Sequence, residues 1–563
     1  MLAIAAVILA VSGGFRTTVG GLRISARSPL PIAFLAFINF TVWLSWARRA
    51  QAIESDLDAI WARLRRHVSI AVAIALIVGA VTAVFATRSA AGADASGYVS
   101  QARMWFDSGF APTQFEPLDA DLRIPNAWIT TPLGWRPDRA SDELFSGMQV
   151  PTYPPGLPLL MAIPEAIAGV DGAAAVVIVS AAIAVVATAV VAAEVGGGVA
   201  GVIAAVLLGF TPIFLYQSIQ PMSDVPVTAA WMSCFALLAR RAASSDALAG
   251  IACAIAVLIR PNLAPLAMVP LFLSHRRVWF AAPVAIAGLF LAALQMFWYG
   301  SPFRSGYGSA EELFALSNIV PNASRYFRWT LETAPLMLFG VVGFWRLRNN
   351  RIAQAMAAFA ILVVVSYLVY AVFEEWSYIR FLLPALAVLA IFAAAEMSTW
   401  LARLTITVRV PAIFVLLLGI TAFHLSTARR LDTFKLADQL ARIETVGDYL
   451  NANVPRGAVI VSGEQSGAMR YYTERSIVRW EVATPGTFEQ AVAALEQSGR
   501  PVFIVLDAWE DELFRKRLGA YPPGALDWPP MLEAGRSHRT RVWQLSDRAR
   551  FMRGEPIDIV RLP

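Results

Sequence analysis

Charge is what this sequence has least of. Asp, Glu, Lys and Arg make up 15% of its 563 residues, while hydrophobic residues make up 57%. A soluble globular chain carries roughly a quarter charged residues. This one cannot cover itself with an ordinary polar surface, which excludes a cytosolic enzyme, a disordered chain and a nucleic-acid module. Lysine is confined to Lys435 and Lys516. The two cysteines, Cys234 and Cys253, offer neither a disulfide framework nor metal-ligand spacing. What remains is an integral membrane protein with many spans, in keeping with a mean hydropathy of +0.58. The net charge of +6 does not indicate nucleic acid, because the arginines sit mostly in short loops between apolar runs.

Residues 1–12 are apolar but have no positive leading region, which argues against a cleaved signal peptide. An alternating stretch with Arg16, Arg23 and Arg27 follows, then an apolar run at 30–47 and a charged, helix-patterned connector from Arg48 to His67. That connector reads as cytoplasmic, so the run at 69–88 crosses outward and Asp94 emerges on the far side. Residues 89–150 are a polar loop closing in Thr152-Tyr153-Pro154-Pro155-Gly156. The apolar run to Gly169 is short and broken by Pro158 and Pro164, so it is expected to lie at the outer membrane surface. Further runs fall at 172–193, 197–215, 224–240, 246–259, 261–274, 278–298, 332–347, 352–372, 379–401 and 410–425. Basic residues separate alternate runs, at Arg240-Arg241, Arg276-Arg277, Arg346 to Arg351 and Arg403 to Arg409. With these inside, Asp224, Arg260 and the 299–331 and 373–378 loops share the Asp94 side. The expectation is an α-helical polytopic membrane protein with about thirteen transmembrane helices. Beyond 425 the composition becomes that of a soluble α/β domain. Val459 to Val461, Ile477-Val478 and Phe503 to Leu506 read as strands, and 487–498 as a helix.

Asp94 stands just past a span, where a carboxylate can act as a base or simply cap an interfacial helix. In a helix, Tyr98 and Ala102 share its face. Asp224 opens a span on the same side and also fits an N-cap followed by proline. Two acids converging at one face strengthen a functional reading, because ionisable groups at membrane depth are expensive. Arg260 and Arg380 run against the positive-inside bias. A phosphate would suit either guanidinium, whereas snorkelling or a local acid such as Glu375 is the alternative. The loop from Trp298 to Gly308, with Tyr307, reads as a sugar platform or an interfacial turn.

The ordered set of Asp94 to Tyr98, Tyr153 to Leu159 and Pro212 to Asp224, supported by Arg260-Pro261 and Trp376 to Pro384, resembles the GT-C class of polyprenyl-phosphate-sugar glycosyltransferases. It is similar to protein O-mannosyltransferases and lipid A aminoarabinose transferases over roughly residues 69–400. The resemblance implies a GT-C-like fold and a lipid-linked sugar donor. It implies Asp94 as catalytic base, and Tyr98, Tyr153, Asp224, Arg260, Tyr307 and Arg380 as substrate-binding residues, with Arg380 first and Arg260 second for the phosphate. The reaction implied is inverting transfer to an acceptor hydroxyl on the outer face of the cytoplasmic membrane. Many relatives carry two adjacent acids at the first site, and Asp94-Ala95 departs from that. No metal ligand is assigned, and a divalent metal stays open as a cofactor. Expected partners are the polyprenyl-phosphate sugar donor and membrane lipid, with the acceptor open and no nucleic acid.

The expected division is 1–68 (N-terminal extra spans and connector), 69–425 (catalytic membrane domain with a large outer loop at 89–171) and 426–563 (extracytoplasmic α/β domain). A transporter or lipid flippase, a scaffold acting through its C-terminal domain, and a surface-polysaccharide polymerase are the competing readings. No internal repeat of the transporter kind is present.

Overall fold

The structure is a computed structural model that describes residues 15–19, 22–26, 67–114, 126–137, 148–240, 245–308 and 313–563. The expected runs at 1–12 and 30–47, and the connector up to residue 66, lie outside the described residues. Within the alternating stretch, β1 (Phe15–Val19) and β2 (Leu22–Ala26) pair antiparallel, with Val19 opposite Leu22.

Helices then dominate. α1 (His67–Phe85) and α2 (Gly92–Asp107) are followed by a short antiparallel pair, β3 (Trp135–Pro137) and β4 (Gln149–Pro151). Next come α3 (Gly156–Gly196), α4 (Gly198–Gly209), α5 (Pro212–Ser218), α6 (Asp224–Arg240), α7 (Ser245–Ile259), α8 (Met268–Leu273) and α9 (Arg277–Tyr299). The second half holds α10 (Ile319–Thr333), α11 (Gly340–Leu347), α12 (Arg351–Leu368), α13 (Leu383–Ala402) and α14 (Ile406–Arg430). α3 packs along α1, α4 and α6, α7 lies against α6 and α9, and α13 lies against α4 and α11.

Among the described residues, six helical segments are long and apolar enough to cross a bilayer, or seven if α4 and α5, bent by 64°, count as one span. The chain is a multi-pass membrane protein. Two of the thirteen expected runs, at 1–12 and 30–47, lie outside the described residues. Prolines and polar breaks shorten several of the apolar runs, so Ser245–Ile259, Pro261–Leu273 and Pro335–Leu347 are apolar helices of less than span length. The run ending at Gly169 forms the first arm of α3, set off from the rest by a non-helical kink at Ala168 and Gly169, where Gly169 takes φ +57°. Glycine reaches that conformation without the steric penalty other residues pay. Gly172 completes the bend, since a Cβ there would meet the Pro164 carbonyl at 1.8 Å.

After α15 (Leu436–Asn453) the pattern changes from helical runs to alternating strands and helices. β5 (Val459–Ser462), α16 (Ser466–Thr473), β6 (Ser476–Arg479), α17 (Pro485–Gln497), β7 (Val502–Asp507), α18 (Glu510–Leu518), β8 (Leu532–Ala534), β9 (Thr540–Gln544), α19 (Leu545–Met552) and β10 (Val560–Leu562) follow. The sheet order is β10-β8-β9-β7-β5-β6, with β5 parallel to both β6 and β7. Alternation along β5 sends Val459 and Val461 into one apolar layer and Ile460 into the other. Ile129 of the long loop is buried in the first layer and Ala91, just before α2, in the second. The sheet is therefore fastened directly to the segment that carries Asp94.

Candidate functional site

The site is built around the first turn of α2. Gly97 leaves a notch on that helix. A Cβ there would lie 2.2 Å from the Tyr153 ring and 2.9 Å from the Gly134 Cα. The missing side chain lets the Tyr153 ring lie flat against the helix, and its hydroxyl donates to Asp94 Oδ1 at 2.8 Å. Asp94 Oδ2 receives Arg380 Nη2 at 2.7 Å. Both oxygens of Asp94 are thus engaged, and its side chain is 33% exposed. Arg380 comes from the 3-10 turn Trp376–Leu382 that leads into α13. Its partner is Asp94, not Glu375. The separation of 286 residues hides this pair from any local reading.

Asp224, the first residue of α6, is 1% exposed. Its Oδ1 accepts from Arg260 Nη2 at 2.5 Å, so the carboxylate pairs with an arginine rather than capping its helix. Arg260 ends α7. Gly156, at the start of α3, places that end by letting the Leu258–Ile259 backbone approach to 2.4 Å of where a Cβ would stand. Arg260 Nη1 also donates to the Tyr367 hydroxyl at 3.1 Å. The Phe381 ring lies 5.5 Å from the Arg260 guanidinium and 5.2 Å from that of Arg380. One aromatic side chain therefore supports both cations at cation–π distance. Tyr98 does not reach Asp94. Its hydroxyl bonds Ser223 Oγ at 3.0 Å, and its ring packs 4.6 Å from that of Tyr153. Tyr307 meets Tyr153 edge-on at 5.7 Å.

All seven residues singled out from the sequence, Asp94, Tyr98, Tyr153, Asp224, Arg260, Tyr307 and Arg380, line one cavity of about 330 Å³. This is at the small end of the roughly 300–1,000 Å³ typical of ligand sites. Its charged side chains form two closed pairs, so the free cavity carries no net charge from them. Among the described residues, no group of three or more His, Cys, Asp or Glu side chains could hold a metal ion.

The residues by which the C-terminal domain reaches the site are not legible in the sequence. The first N–H groups of a helix have no partner within it. At α2 the Gly92 N–H donates to Gln465 Oε1 at 3.0 Å. A Cβ on Gly92 would stand 3.7 Å from Glu464 Oε1. Tyr472 OH accepts from Ala90 N at 2.7 Å. Glu165, Arg103 and Tyr471 form a further clasp, with Tyr471 OH donating to Glu165 Oε1 at 2.8 Å. Nothing in residues 464–472 marks them as neighbours of Asp94.

Desolvation in this cleft, then the charges of Glu481 and Asp94, push the Glu464 carboxyl up to about 7, against the opposing effect of the Ala93 N–H. The folded chain therefore holds this proton after the unfolded chain has lost it. The stability so gained is present below the ordinary glutamate value of 4.5 and is lost as pH rises through about 7. The melting temperature of the wild type, measured relative to Glu464→Gln, is expected to fall across that window and then level off. Parallel melting curves for the two proteins would refute it.

Comparison with known proteins follows the same lines. Residues 152–299 match a family model described as dolichyl-phosphate-mannose-protein mannosyltransferase, which is less than half of the chain. That stretch holds Tyr153, Asp224 and Arg260. The fold aligns with ArnT from Cupriavidus metallidurans bound to undecaprenyl phosphate, at 13% identity and a TM-score of 0.53, covering 85% of this chain and 98% of that one. It also aligns with the archaeal oligosaccharyltransferase AglB from Archaeoglobus fulgidus in complex with an inhibitory peptide and a dolichol-phosphate, at 12% identity and a TM-score of 0.52, covering 81% and 71%. The chain has the GT-C fold. No curated protein matches it by sequence. In this GT-C chain the membrane helices bring Asp224 and Arg260 to Asp94 and Arg380, and the C-terminal sheet holds the start of α2.

Proposed function

We propose that the protein is an inverting glycosyltransferase that moves a sugar from a polyprenyl-phosphate carrier to an acceptor hydroxyl on the outer face of the cytoplasmic membrane. The observation that carries this reading is one small cavity lined together by a carboxylate suited to take a proton, Asp94, and by two guanidiniums suited to a phosphate, Arg380 and Arg260. The match to the mannosyltransferase model and the carriers named in the ArnT and AglB structures support the same donor class.

In this mechanism the acceptor oxygen loses its proton to Asp94 and attacks the anomeric carbon. The bond from that carbon to the phosphate oxygen breaks on the opposite face, and the polyprenyl phosphate leaves with the electron pair. Configuration at the anomeric carbon inverts. Arg380 offsets the charge on the departing phosphate, as fixed donors do at developing anions. Tyr98, Tyr153 and Tyr307 wall the sugar, and Asp224 with Arg260 orients the head group. The three-part division at residues 68 and 425 belongs to this reading, with 426–563 outside the cytoplasm beside the cavity.

The test is release of free polyprenyl phosphate by purified protein in liposomes. The donors are radiolabelled polyprenyl-phosphate mannose, glucose and arabinose, with cell-envelope extract as acceptor. The expected result is release from one donor with label appearing in the extract. Absence of release from every donor would favour a transporter or scaffold.

A further inference from the structure

Asp94 and Arg380, assigned above as base and phosphate ligand, are bound to each other. Asp94 Oδ2 sits on Arg380 Nη2 at 2.7 Å. Its other oxygen holds the Tyr153 hydroxyl. Each oxygen therefore already accepts one charge-assisted or phenolic hydrogen bond, and an incoming hydroxyl would have to share an oxygen with Arg380 or Tyr153. Arg380, for its part, uses only half of one edge. Nη2 is taken by Asp94, and Nε on the same edge is buried with no hydrogen-bond partner among the described residues. A phosphate binds arginine best through two parallel N–H bonds on one edge. To use the Nε and Nη2 edge it must displace Asp94.

We propose that the donor phosphate takes Arg380 away from Asp94 on binding, so that the base is released only once the donor is in place; this rests on the glycosyl-transfer reading above. The exchange conserves ion pairing, because the guanidinium trades one anion for another and is never left bare at membrane depth, where an unpaired charge is costly. Phe381 and Tyr378, at 5.2 and 4.9 Å from the guanidinium, hold it in place through the exchange. Asp94 keeps the Tyr153 hydroxyl bond, which fixes its position, and turns the freed oxygen to the acceptor. The order of binding is then donor first, acceptor second. An acceptor entering early meets an occupied carboxylate, and water entering an empty site meets no active base.

The experiment measures binding of undecaprenyl phosphate to the full-length protein in lipid nanodiscs, for wild type, Asp94→Asn and Arg380→Gln. Removing the competing carboxylate is expected to tighten binding by Asp94→Asn about tenfold, and removing the guanidinium to weaken it by about the same factor, as expected for a charge-assisted bond. Unchanged or weaker binding by Asp94→Asn would overturn the exchange and make Asp94 a support that aims Arg380 at the phosphate. If Asp94→Asn does not fold, wild-type kinetics decide. Acceptor binding that requires donor supports the exchange, and random order overturns it. Absence of undecaprenyl phosphate binding by the folded wild type would remove the glycosyl-transfer reading itself.

Discussion

Sugar transfer by Asp94→Asn is expected to fall by about 10²- to 10⁴-fold, the usual contribution of a positioned general base. The amide is isosteric with the carboxylate. Its oxygen can still accept from the Tyr153 hydroxyl, which donates to Asp94 at 2.8 Å in the wild type. The Gly97 notch that seats the Tyr153 ring is untouched. What the variant loses is the capacity to take a proton. The measurement is the single-turnover rate with saturating donor and acceptor, which separates chemistry from binding. Retention of more than about a tenth of the wild-type rate would remove Asp94 from the role of base. A fall in rate combined with tighter carrier binding has no explanation in misfolding, because a misfolded site loses both.

The second large effect concerns stability. Arg260→Met is expected to destabilise the protein by about 3–5 kcal/mol, the cost of stranding one member of a buried ion pair. Asp224 is 1% exposed and pairs with Arg260 at 2.5 Å. No other cation is hydrogen-bonded to its carboxylate among the described residues. The methionine keeps much of the arginine stem but loses the bonds to Asp224 and Tyr367 and the contact with Phe381. Unfolding in detergent, followed by tryptophan fluorescence, reads the loss. The double variant Arg260→Met with Asp224→Leu should recover most of it, because a buried ion pair can be replaced by apolar side chains with little penalty. It should remain inactive. A double variant no more stable than the single one would show that the stranded carboxylate is not the source of the cost.

Much of the architecture was legible in advance. Hydropathy marks the membrane class, and the spacing of arginines between runs puts Asp94, Asp224, Arg260 and Arg380 on one expected side; the structure brings the four to one cavity. The strands at 459–462, 476–479 and 502–507 follow from short β-branched runs. The kink in α3 and the shortness of the helix Pro261–Leu273 are less legible, because hydropathy reports only how apolar a segment is, and not how a proline or glycine bend is accommodated by its neighbours. The Arg380–Asp94 pair is not legible either, because sequence proximity points to Glu375.

The sequence by itself determined which segments are apolar enough to cross a bilayer and which polar residues stand between them. That is a one-dimensional property, written in the alternation of apolar runs and basic loops. The tertiary structure alone decided the lateral arrangement. It set Arg380 on Asp94 across 286 residues, Arg260 on Asp224 across 36, and Gln465 on the first turn of α2 across 373. Such pairings depend on which helix faces pack together. Lipid-facing and protein-facing surfaces of a membrane helix are both apolar, so hydropathy does not distinguish them. Close contacts such as Gly97 against Tyr153 and Gly156 against Ile259 make that choice.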